Sequence, residues 1–420
     1  MKAAYCQHGN HCRPDGLGHG RLLPLRFGMG LCHLRAEPAY SFGLHRSVVS
    51  GYNSCAMNMN KTTVVYLFSA LCLVLPVSLL MTDASAIPDS PAKPMLVATN
   101  QGDRDLSIID PAAAKQLATV PEGGITGHEV ATSPDGRTAY VPIYGSSGVG
   151  RPGTDGHEMV VIDIASRQVT GKVDFGHGVR PHCPVYDRAS GMLYVTTELD
   201  QTVTIIDPKT LKIVGTVPTG QKESHMLVIS RDGKRGYTAN VGAGSVSVLD
   251  LPGRKTIAII PISSESQRIA ISNDDKMVFT SDQTKPQLAV IDTATNKIKT
   301  WVPLPAVGYG TSPTPDGRFL LVAMPKANQL AVVDLAALKV VRTIDVPEDP
   351  VKVLARPDGK VAYVSCSKAK QVAVVELSQW KVDSLIDAGK GVDGLAWAAP
   401  SAPGVPHSHR QPAIGRRTGE

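Results

Sequence analysis

The sequence predicts an all-β fold, a seven-bladed β-propeller with four-stranded antiparallel blades. Three observations lead to this prediction: a repeat of about 42 residues, short strand-like segments within each repeat, and turn sequences at constant positions. The repeats show no helical hydrophobic period, so their apolar segments are interpreted as strands. Seven units of four strands are typical of a propeller, whose closed ring leaves few exposed sheet edges.

The repeat is clearest in an acidic residue that ends one strand of each unit. These strands read SIID, VVID, TIID, SVLD, AVID, AVVD and AVVE. Their last residues are Asp110, Asp163, Asp207, Asp250, Asp292, Asp334 and Glu376. Steps of 53, 44, 43, 42, 42 and 42 residues separate them. Repetition at such a constant period indicates a propeller or a related repeat architecture.

Turn sequences give a second marker of the repeat. SPDG, SRDG, TPDG and RPDG occur at 133–136, 230–233, 314–317 and 356–359, with SNDD at 272–275 and YDRASG at 186–191 as variants. Asp, Asn, Pro and Gly favour tight turns. Each turn precedes a strand such as TAYVPI or VAYVSC. Each unit is therefore predicted to hold four short strands joined by turns.

The two ends of the repeat region are predicted to share one blade. The segment MLVATN at 95–100 matches the second strand of a unit, and VDGLAWA at 392–398 matches a first strand. The seventh blade is therefore closed by one C-terminal and three N-terminal strands, which removes two free edges.

An export signal is predicted upstream of the propeller. Lys61 precedes an apolar run over 64–80, and Ala84-Ser85-Ala86 offers small residues for cleavage, which is a secretory pattern. We expect 59–86 to be the signal peptide; the alternative is an uncleaved membrane anchor. The mature protein is then periplasmic or extracellular and has no membrane span.

The boundaries of the remaining segments follow from the positions of the predicted signal peptide and of the repeats. Residues 1–58 are expected to be disordered or a misassigned extension, because Met59 would start a normal signal peptide. Residues 87–94 are a linker, 95–398 the propeller, and 399–420 a disordered tail rich in Pro, Arg, His and Gly.

Charge and cysteine content exclude some functions. The net charge is +6, but residues 1–58 carry +4 and 401–420 carry +2, so 87–400 is neutral. A neutral body argues against nucleic acid as a partner. Of seven cysteines, Cys183 and Cys366 remain in the propeller, on different blades and without a CxxC pair. We therefore expect neither a disulfide nor a cysteine metal site.

These motifs resemble a known family. The YVTN-type strands, the SPDG turns and the VID strand ends are similar to those of the YVTN-repeat β-propeller family (YncE-like), over about 95–398. The resemblance implies a propeller and export. It assigns no reaction, because related propellers include scaffolds, lactonases and domains of redox enzymes, and fold does not determine function.

A ring of residues is predicted where the innermost strand of each blade begins. Counting seven residues back from the Asp of each turn gives one position per blade, with allowance for the longer turn of the second blade, and Asp393 occupies the matching position of the last strand. The ring reads His128, His182, His225, Arg268, Tyr309, Val351 and Asp393. Glu129, Arg180, Cys183 and Lys352 stand beside it. We expect a ligand site formed by His128, Glu129, His182, His225, Arg268, Tyr309 and Asp393 at this channel mouth.

The three histidines leave several interpretations open. Neutral imidazoles are common ligands of transition metals, so His128, His182 and His225 are candidate ligands of a divalent metal ion, the one cofactor hypothesis. A His or Tyr acting as acid or base, with Arg268 as an oxyanion clamp, is another possibility. The alternative is structural: each histidine caps the start of its inner strand by hydrogen bonding.

One long loop is predicted on the same face. The first blade carries about ten extra residues, YGSSGVGRPGTDGHE at 144–158, between its second and third strands. Long loops in regular repeats often mark binding faces. Arg151, Asp155, His157 and Glu158 are predicted to reach over the mouth. A tolerated surface insertion is the alternative.

The sequence supports three functions. The first is an exported binding or scaffold protein of the cell envelope, a monomer with a small molecule or another envelope protein as partner. The second is a lactonase-like hydrolase or lyase that uses the histidines of the ring. The third is an accessory propeller of a periplasmic redox enzyme. No nucleophile elbow, CxxCH or HExxH motif decides whether the protein is an enzyme.

Overall fold

The computed structural model describes residues 93–146 and 148–400, which contain 28 strands and one short 3-10 helix. The first three strands are β1 (Met95–Asn100), β2 (Asp105–Asp110) and β3 (Lys115–Pro121). Blade 1 follows with β4 (Ala131–Thr132), β5 (Thr138–Gly145), β6 (Asp155–Asp163) and β7 (Gln168–Asp174). Blade 2 contains β8 (Pro181–Asp187), β9 (Met192–Thr197), β10 (Thr202–Asp207) and β11 (Lys212–Pro218).

Blades 3 to 5 repeat this pattern. Blade 3 contains β12 (Ser224–Ile229), β13 (Arg235–Asn240), β14 (Ser245–Asp250) and β15 (Lys255–Pro261). Blade 4 contains β16 (Ser266–Ile271), β17 (Met277–Asp282), β18 (Gln287–Asp292) and β19 (Lys297–Pro303). Blade 5 contains β20 (Thr311–Pro313), β21 (Phe319–Met324), β22 (Gln329–Asp334) and β23 (Lys339–Asp345), with the 3-10 helix at Pro325–Ala327.

The last strands complete the ring. Blade 6 contains β24 (Pro350–Ala355), β25 (Val361–Cys366), β26 (Gln371–Glu376) and β27 (Lys381–Asp387). The final strand, β28 (Val392–Ala398), pairs antiparallel with β1, so blade 7 has the order β28-β1-β2-β3. The predicted all-β class, the seven blades and the mixed closing blade are all confirmed.

The turn sequences explain the hairpin between the first two strands of each blade. Gly136, Gly233, Gly317 and Gly359 have φ near +70° in these turns, a conformation that glycine adopts without strain. In the SNDD variant Asp275 takes this position with φ +60°. Its carboxylate accepts a hydrogen bond from the backbone of Arg231 at 3.0 Å, which helps to hold the less favourable conformation.

The hydrophobic core lies between neighbouring blades. One cluster joins Tyr194 of blade 2, Tyr237 of blade 3 and Val278 of blade 4. The middle strands are buried along nearly their whole length, whereas the outermost strands alternate between exposed and covered residues. Burying one large apolar side chain stabilises the fold by about 1.5–3 kcal/mol, so each blade depends on both neighbours.

The innermost strands are irregular where the predicted ring residues lie. The pairing register shifts between Pro181 and Pro184, between Ser224 and Met226, and between Pro350 and Lys352. Similar shifts occur at the start of β16 and beside β28. A bulge turns a side chain away from the regular alternation of a strand. The ring residues are thereby released from the sheet faces.

The predicted segments 1–58 and 59–86, with most of 87–94 and 399–420, lie outside the described residues. Within the part that the structure describes, no helix is long and apolar enough to span a membrane.

Candidate functional site

The starts of the innermost strands bring the predicted ring residues together. The imidazole of His182 contacts those of His128 and His225 on the side of blades 1 to 3. Arg268 reaches Asp393 of blade 7 and lies with its guanidinium 4.7 Å from the ring centre of Tyr309. Two groups result, and we call them the histidine cluster and the charge cluster.

The histidine cluster consists of His128, His182, His225, Tyr144 and Glu198. His182 and His225 stack with ring centres 3.5 Å apart, and His128 stacks on Tyr144 at 4.6 Å. The carboxylate of Glu198 contacts His225 Nδ1 and accepts a hydrogen bond from the Tyr144 hydroxyl at 2.7 Å. His182, His225 and Glu198 are each at most 2% exposed. These rings form a densely packed, buried layer.

Hydrogen bonds determine which nitrogen of each buried imidazole carries the proton. His182 Nδ1 lies 3.1 Å from the carbonyl oxygen of His225, so this nitrogen donates. His182 Nε2 is then an acceptor; it is buried, and no described residue forms a hydrogen bond with it. His225 Nδ1 faces the Glu198 carboxylate, which leaves its Nε2 as an acceptor 3.5 Å from the amide nitrogen of Gln267.

The imidazoles of His128 and His182 resist protonation. Burial is the main cause that lowers the pKa of His128 to about 3, and nearby His225 and Arg268 add to it. Burial likewise holds the pKa of His182 well below its ordinary value. The pKa of Tyr144 is raised by burial and by the Glu198 carboxylate. At neutral pH the cluster therefore offers uncharged nitrogen acceptors.

The charge cluster consists of Glu129, Arg268, Lys352 and Asp393, from blades 1, 4, 6 and 7. Arg268 contacts one oxygen of Glu129 and donates to Asp393 at 3.1 Å, so its side chain spans the channel. Lys352 Nζ lies 2.7 Å from the other oxygen of Glu129. Asp393 also accepts a hydrogen bond from Gln101 at 2.6 Å. This network joins the blades on opposite sides of the ring.

The two carboxyl groups of the charge cluster differ in acidity. Burial alone would raise the pKa of Glu129, but Lys352 and Arg268 outweigh it and hold this pKa at about 2. The pKa of Asp393 is raised, because burial and the Glu129 carboxylate outweigh the attraction of Arg268. Glu129 is thus the charged centre of the cluster, and Asp393 ionises less readily.

An axial cavity lies below the charge cluster. Its volume is about 400 Å³, and its lining comes from the innermost strands of blades 1 to 6. Met226, Leu227 and Val353 contribute to its apolar walls, and Glu129 and Lys352 line the charged end. The other end is lined by residues of the hairpin turns that follow the innermost strands, among them Arg231, Asn273 and Asp275. This cavity therefore extends away from the histidine face where a ligand site was predicted.

The long loop of blade 1 contacts the ring through only part of its predicted residues. Arg180, two residues before His182, donates to the Asp155 carboxylate at 2.6 Å and to the backbone oxygen of Arg151 at 2.8 Å. His157 and Glu158 instead face β7, where they pair with Asp174 at 3.2 Å and Lys172 at 2.5 Å. They are directed to the outer strand and do not cover the mouth.

The predicted three-histidine metal centre is not assembled in this arrangement. Among the described residues, the group of His, Cys, Asp and Glu side chains whose ligand atoms converge is His157, Glu158 and Asp174, at the surface. The two buried imidazoles stack face to face, with 29° between their planes, and their Nδ1 atoms are already hydrogen-bonded. Arg268, considered as an oxyanion clamp, is held between two carboxylates.

Sequence reasoning missed Tyr144, Glu198 and Gln101 as parts of the site. All three stand at the same position of the repeat, directly after the six residues that form the core of the second strand: TAYVPI, MLYVTT and MLVATN. Each contacts a ring residue or its partner, because this strand ends beside the start of the innermost strand. Aligning the second strands as well as the first would have found them.

Comparison with known proteins supports the architecture. A family model for the cytochrome D1 heme domain matches residues 188–313. This stretch contains His225, Arg268 and Tyr309 but excludes His128 and His182. No curated protein matches the chain.

Two solved structures are similar in fold. Hydrazine synthase of Kuenenia stuttgartiensis is 18% identical, with a TM-score of 0.57, over 66% of this chain and 90% of that chain. The dihydro-heme d1 dehydrogenase NirN, in complex with DHE, is 14% identical, with a TM-score of 0.54, over 73% and 75%. With the seven blades, these similarities place the chain among the β-propeller proteins.

Proposed function

We propose that the protein is an exported, YVTN-type binding propeller of the cell envelope that takes a small organic acid in its axial cavity. The observation that carries the proposal is the construction of this cavity, which has apolar walls, Glu129 and Lys352 at the end towards the charge cluster, and Arg231 and Asp275 at the other end. Its volume of about 400 Å³ lies within the usual range of small-molecule sites, about 300–1,000 Å³.

The charged end favours an anion. Glu129 carries one negative charge between the two cations Arg268 and Lys352, and the raised pKa of Asp393 weakens the remaining opposing charge. Lys352 is the accessible cation, since its side chain is 19% exposed whereas that of Arg268 is 3% exposed. A carboxylate at Lys352 would place its hydrocarbon chain along Met226 and Val353.

Calorimetric titration with acetate, butyrate and hexanoate tests this proposal. Affinity should rise with chain length, because each buried methylene contributes about 0.8 kcal/mol. Lys352→Met should weaken binding about 10- to 100-fold through loss of a charged hydrogen bond, while Lys352→Arg retains it. Lys368→Met, at an exposed lysine paired with Glu348, is the matched control. Equal affinity of Lys352→Met and wild type, or no binding of any acid, would refute the proposal.

The comparisons favour a second candidate, an accessory propeller of a redox enzyme. The family model is that of a heme domain, and both structural neighbours are named as a synthase or dehydrogenase. The described mouth does not fit a heme itself. His182 and His225 are buried against each other, and Arg268 closes the channel beneath them. A heme would therefore belong to the partner.

Affinity capture from the envelope fraction of the source cells tests this second candidate. The captured partner should give a heme absorption spectrum, and purified propeller mixed with free heme should not. Capture of no heme protein would refute the redox association and leave the acid-binding proposal unaffected. N-terminal sequencing of the same preparation tests export: a first residue near Ile87 supports it, and a retained Met1 contradicts it.

A further inference from the structure

One position of the repeat carries a carboxyl group in a single blade. In all seven blades, the residue that follows the outermost strand donates its backbone N–H to a carbonyl oxygen at the beginning of the third strand, counted from the channel. Along the chain these residues are Glu122, Phe175, Thr219, Ile262, Leu304, Val346 and Ala388. Because this backbone contact is the same throughout, the ring itself does not require an ionisable side chain here. Glu122 therefore needs its own explanation.

Glu122 is buried in surroundings that do not suit a charge. It is 1% exposed, and its Oε2 accepts a hydrogen bond from the backbone N–H of Gly127 at 2.7 Å. Oε1 is also buried, and no described residue forms a hydrogen bond with it. A Cβ atom at Gly127 would lie 2.5 Å from Cγ1 of Val141 and 3.0 Å from both carboxylate oxygens, so the three residues are in close contact. An ionised carboxylate in this place loses its hydration in exchange for a single hydrogen bond.

The groups around Glu122 do not compensate for its burial. Asp105, at the start of β2, is itself a carboxylate and disfavours a negative charge on Glu122. The preceding Arg104 contributes its backbone oxygen, and β5 contributes the apolar side chain of Val141. Burial is the main cause that raises the pKa of Glu122 to about 7, and the hydrogen bond from Gly127 lowers this pKa only in part. Near neutral pH the side chain is therefore partly protonated.

The contact of Glu122 with Gly127 fixes a segment that carries two residues of the channel mouth. This segment, 123–130, leads to the two-residue strand β4 and contains His128 and Glu129 directly after Gly127. Backbone hydrogen bonds of 2.9 Å from β5 and from β28 also hold it. Three of its eight residues are glycines, which allow the backbone to change conformation at low cost. The protonation state of Glu122 can therefore act on the position of His128 and Glu129.

We propose that Glu122 is a pH-dependent switch of the segment 123–130. In its neutral form the side chain stays buried against Gly127 and holds His128 and Glu129 in the ring. When the carboxyl group loses its proton to solvent, hydration of the new charge favours the open form, and the segment opens at its glycines. The switch is independent of acid binding, because Glu122 is not among the residues that line the axial cavity.

The sign of the pH effect follows from the pKa of Glu122. The folded value of about 7 lies above the ordinary value of 4.5, so the closed segment retains a proton that the opened segment releases. The closed form therefore has its full stability below the ordinary value and loses stability as the pH rises towards the folded value. Between about pH 5.5 and about pH 8.5, the equilibrium constant for opening should rise about 10- to 100-fold.

Hydrogen exchange measured by mass spectrometry tests the switch on the wild-type protein. After correction for the pH dependence of chemical exchange, the amides of 123–130 should lose protection about 10- to 100-fold between about pH 5.5 and about pH 8.5. The segment 305–310, which follows Leu304 at the same place in the repeat, is the internal control and should keep its protection. Equal protection of 123–130 at both pH values, or equal losses in both segments, would overturn the proposal.

Two substitutions of Glu122 separate ionisation from packing. Glu122→Gln keeps an acceptor for Gly127 but cannot ionise, and Glu122→Leu introduces the residue type of Leu304. Each variant should keep the protection of 123–130 at about pH 8.5, whereas Glu158→Gln, at a surface pair with Lys172, should show the wild-type loss. Persistence of the full loss in Glu122→Gln would contradict the proposal. If a variant does not fold, the wild-type comparison with 305–310 decides alone.

Discussion

The two clusters at the channel mouth are held together by different kinds of contact. The charge cluster pairs both of its carboxylates with cations and links blades on opposite sides of the ring. The histidine cluster lies on adjacent blades and consists of aromatic rings stacked around one carboxylate. Each cluster also holds a buried nitrogen that has no hydrogen-bond partner among the described residues, Nε2 of His182 and Nε of Arg268. Because the charge cluster pairs buried charges across the channel, we expect it to be the more sensitive of the two to the loss of one member.

The largest expected effect comes from breaking the charge cluster. Glu129→Gln leaves the buried Arg268 and the partly exposed Lys352 without their shared counter-charge. The free energy of unfolding should fall by about 3–5 kcal/mol, measured by urea denaturation. Glu158→Gln, at a surface pair with Lys172, should change it little. Similar losses in both variants would mean that the charge cluster has no special structural role.

A smaller effect is expected at the carboxylate of the histidine cluster. Tyr144→Phe removes the 2.7 Å hydrogen bond to Glu198 and leaves the contact with His225 intact. Because the acceptor is charged and buried, the free energy of unfolding should fall by about 1.5–3 kcal/mol. Tyr186→Phe, at a partly buried tyrosine of blade 2, is the control. An unchanged free energy of unfolding in Tyr144→Phe would show that Glu198 does not depend on this hydroxyl.

The two clusters should also respond differently to acid. Because His182 has a pKa well below its ordinary value, the unfolded chain binds a proton that the folded protein excludes. Stability is therefore present above the unfolded pKa of about 6.5 and declines below it. Glu129, with a folded pKa of about 2, contributes stability that declines only below the unfolded value of about 4.5.

The variant His182→Phe isolates the contribution of His182 to the pH dependence of stability. The fall in Tm between about pH 7.5 and about pH 5 should be smaller in the variant than in wild type. Glu122, whose pKa burial raises to about 7, acts in the opposite direction but is present in both proteins. Equal falls in Tm would show that His182 is protonated in the folded protein.

The smallest effects are expected in the loop of blade 1. Asp155→Asn weakens the ion pair with Arg180 and should lower the free energy of unfolding by about 0.2–1 kcal/mol. Arg151→Ala should have no effect, because Arg151 contacts Arg180 through its backbone oxygen. A clear loss of stability in Arg151→Ala would indicate that the Arg151 side chain forms contacts at the channel mouth.

Much of this molecule follows from the repeat in the sequence. The acidic strand ends and the turns predicted the number of blades and the closure by β28 and β1, because every repeat has to pack the same faces on its neighbours. The same count identified the starts of the innermost strands. It therefore named His182, His225 and Arg268 as neighbours around one channel before any contact was known.

Only the tertiary structure decided which of these neighbours belong to the histidine cluster and which to the charge cluster. Side-chain length and bulge geometry let Arg268 cross the channel to Glu129 and Asp393, which no sequence spacing encodes. Glu198 and Tyr144 joined the site because second strands end beside the innermost ones of adjacent blades. Sequence determined which residues share the ring. Three-dimensional packing decided which of them form ion pairs across the channel and which stack as aromatic rings.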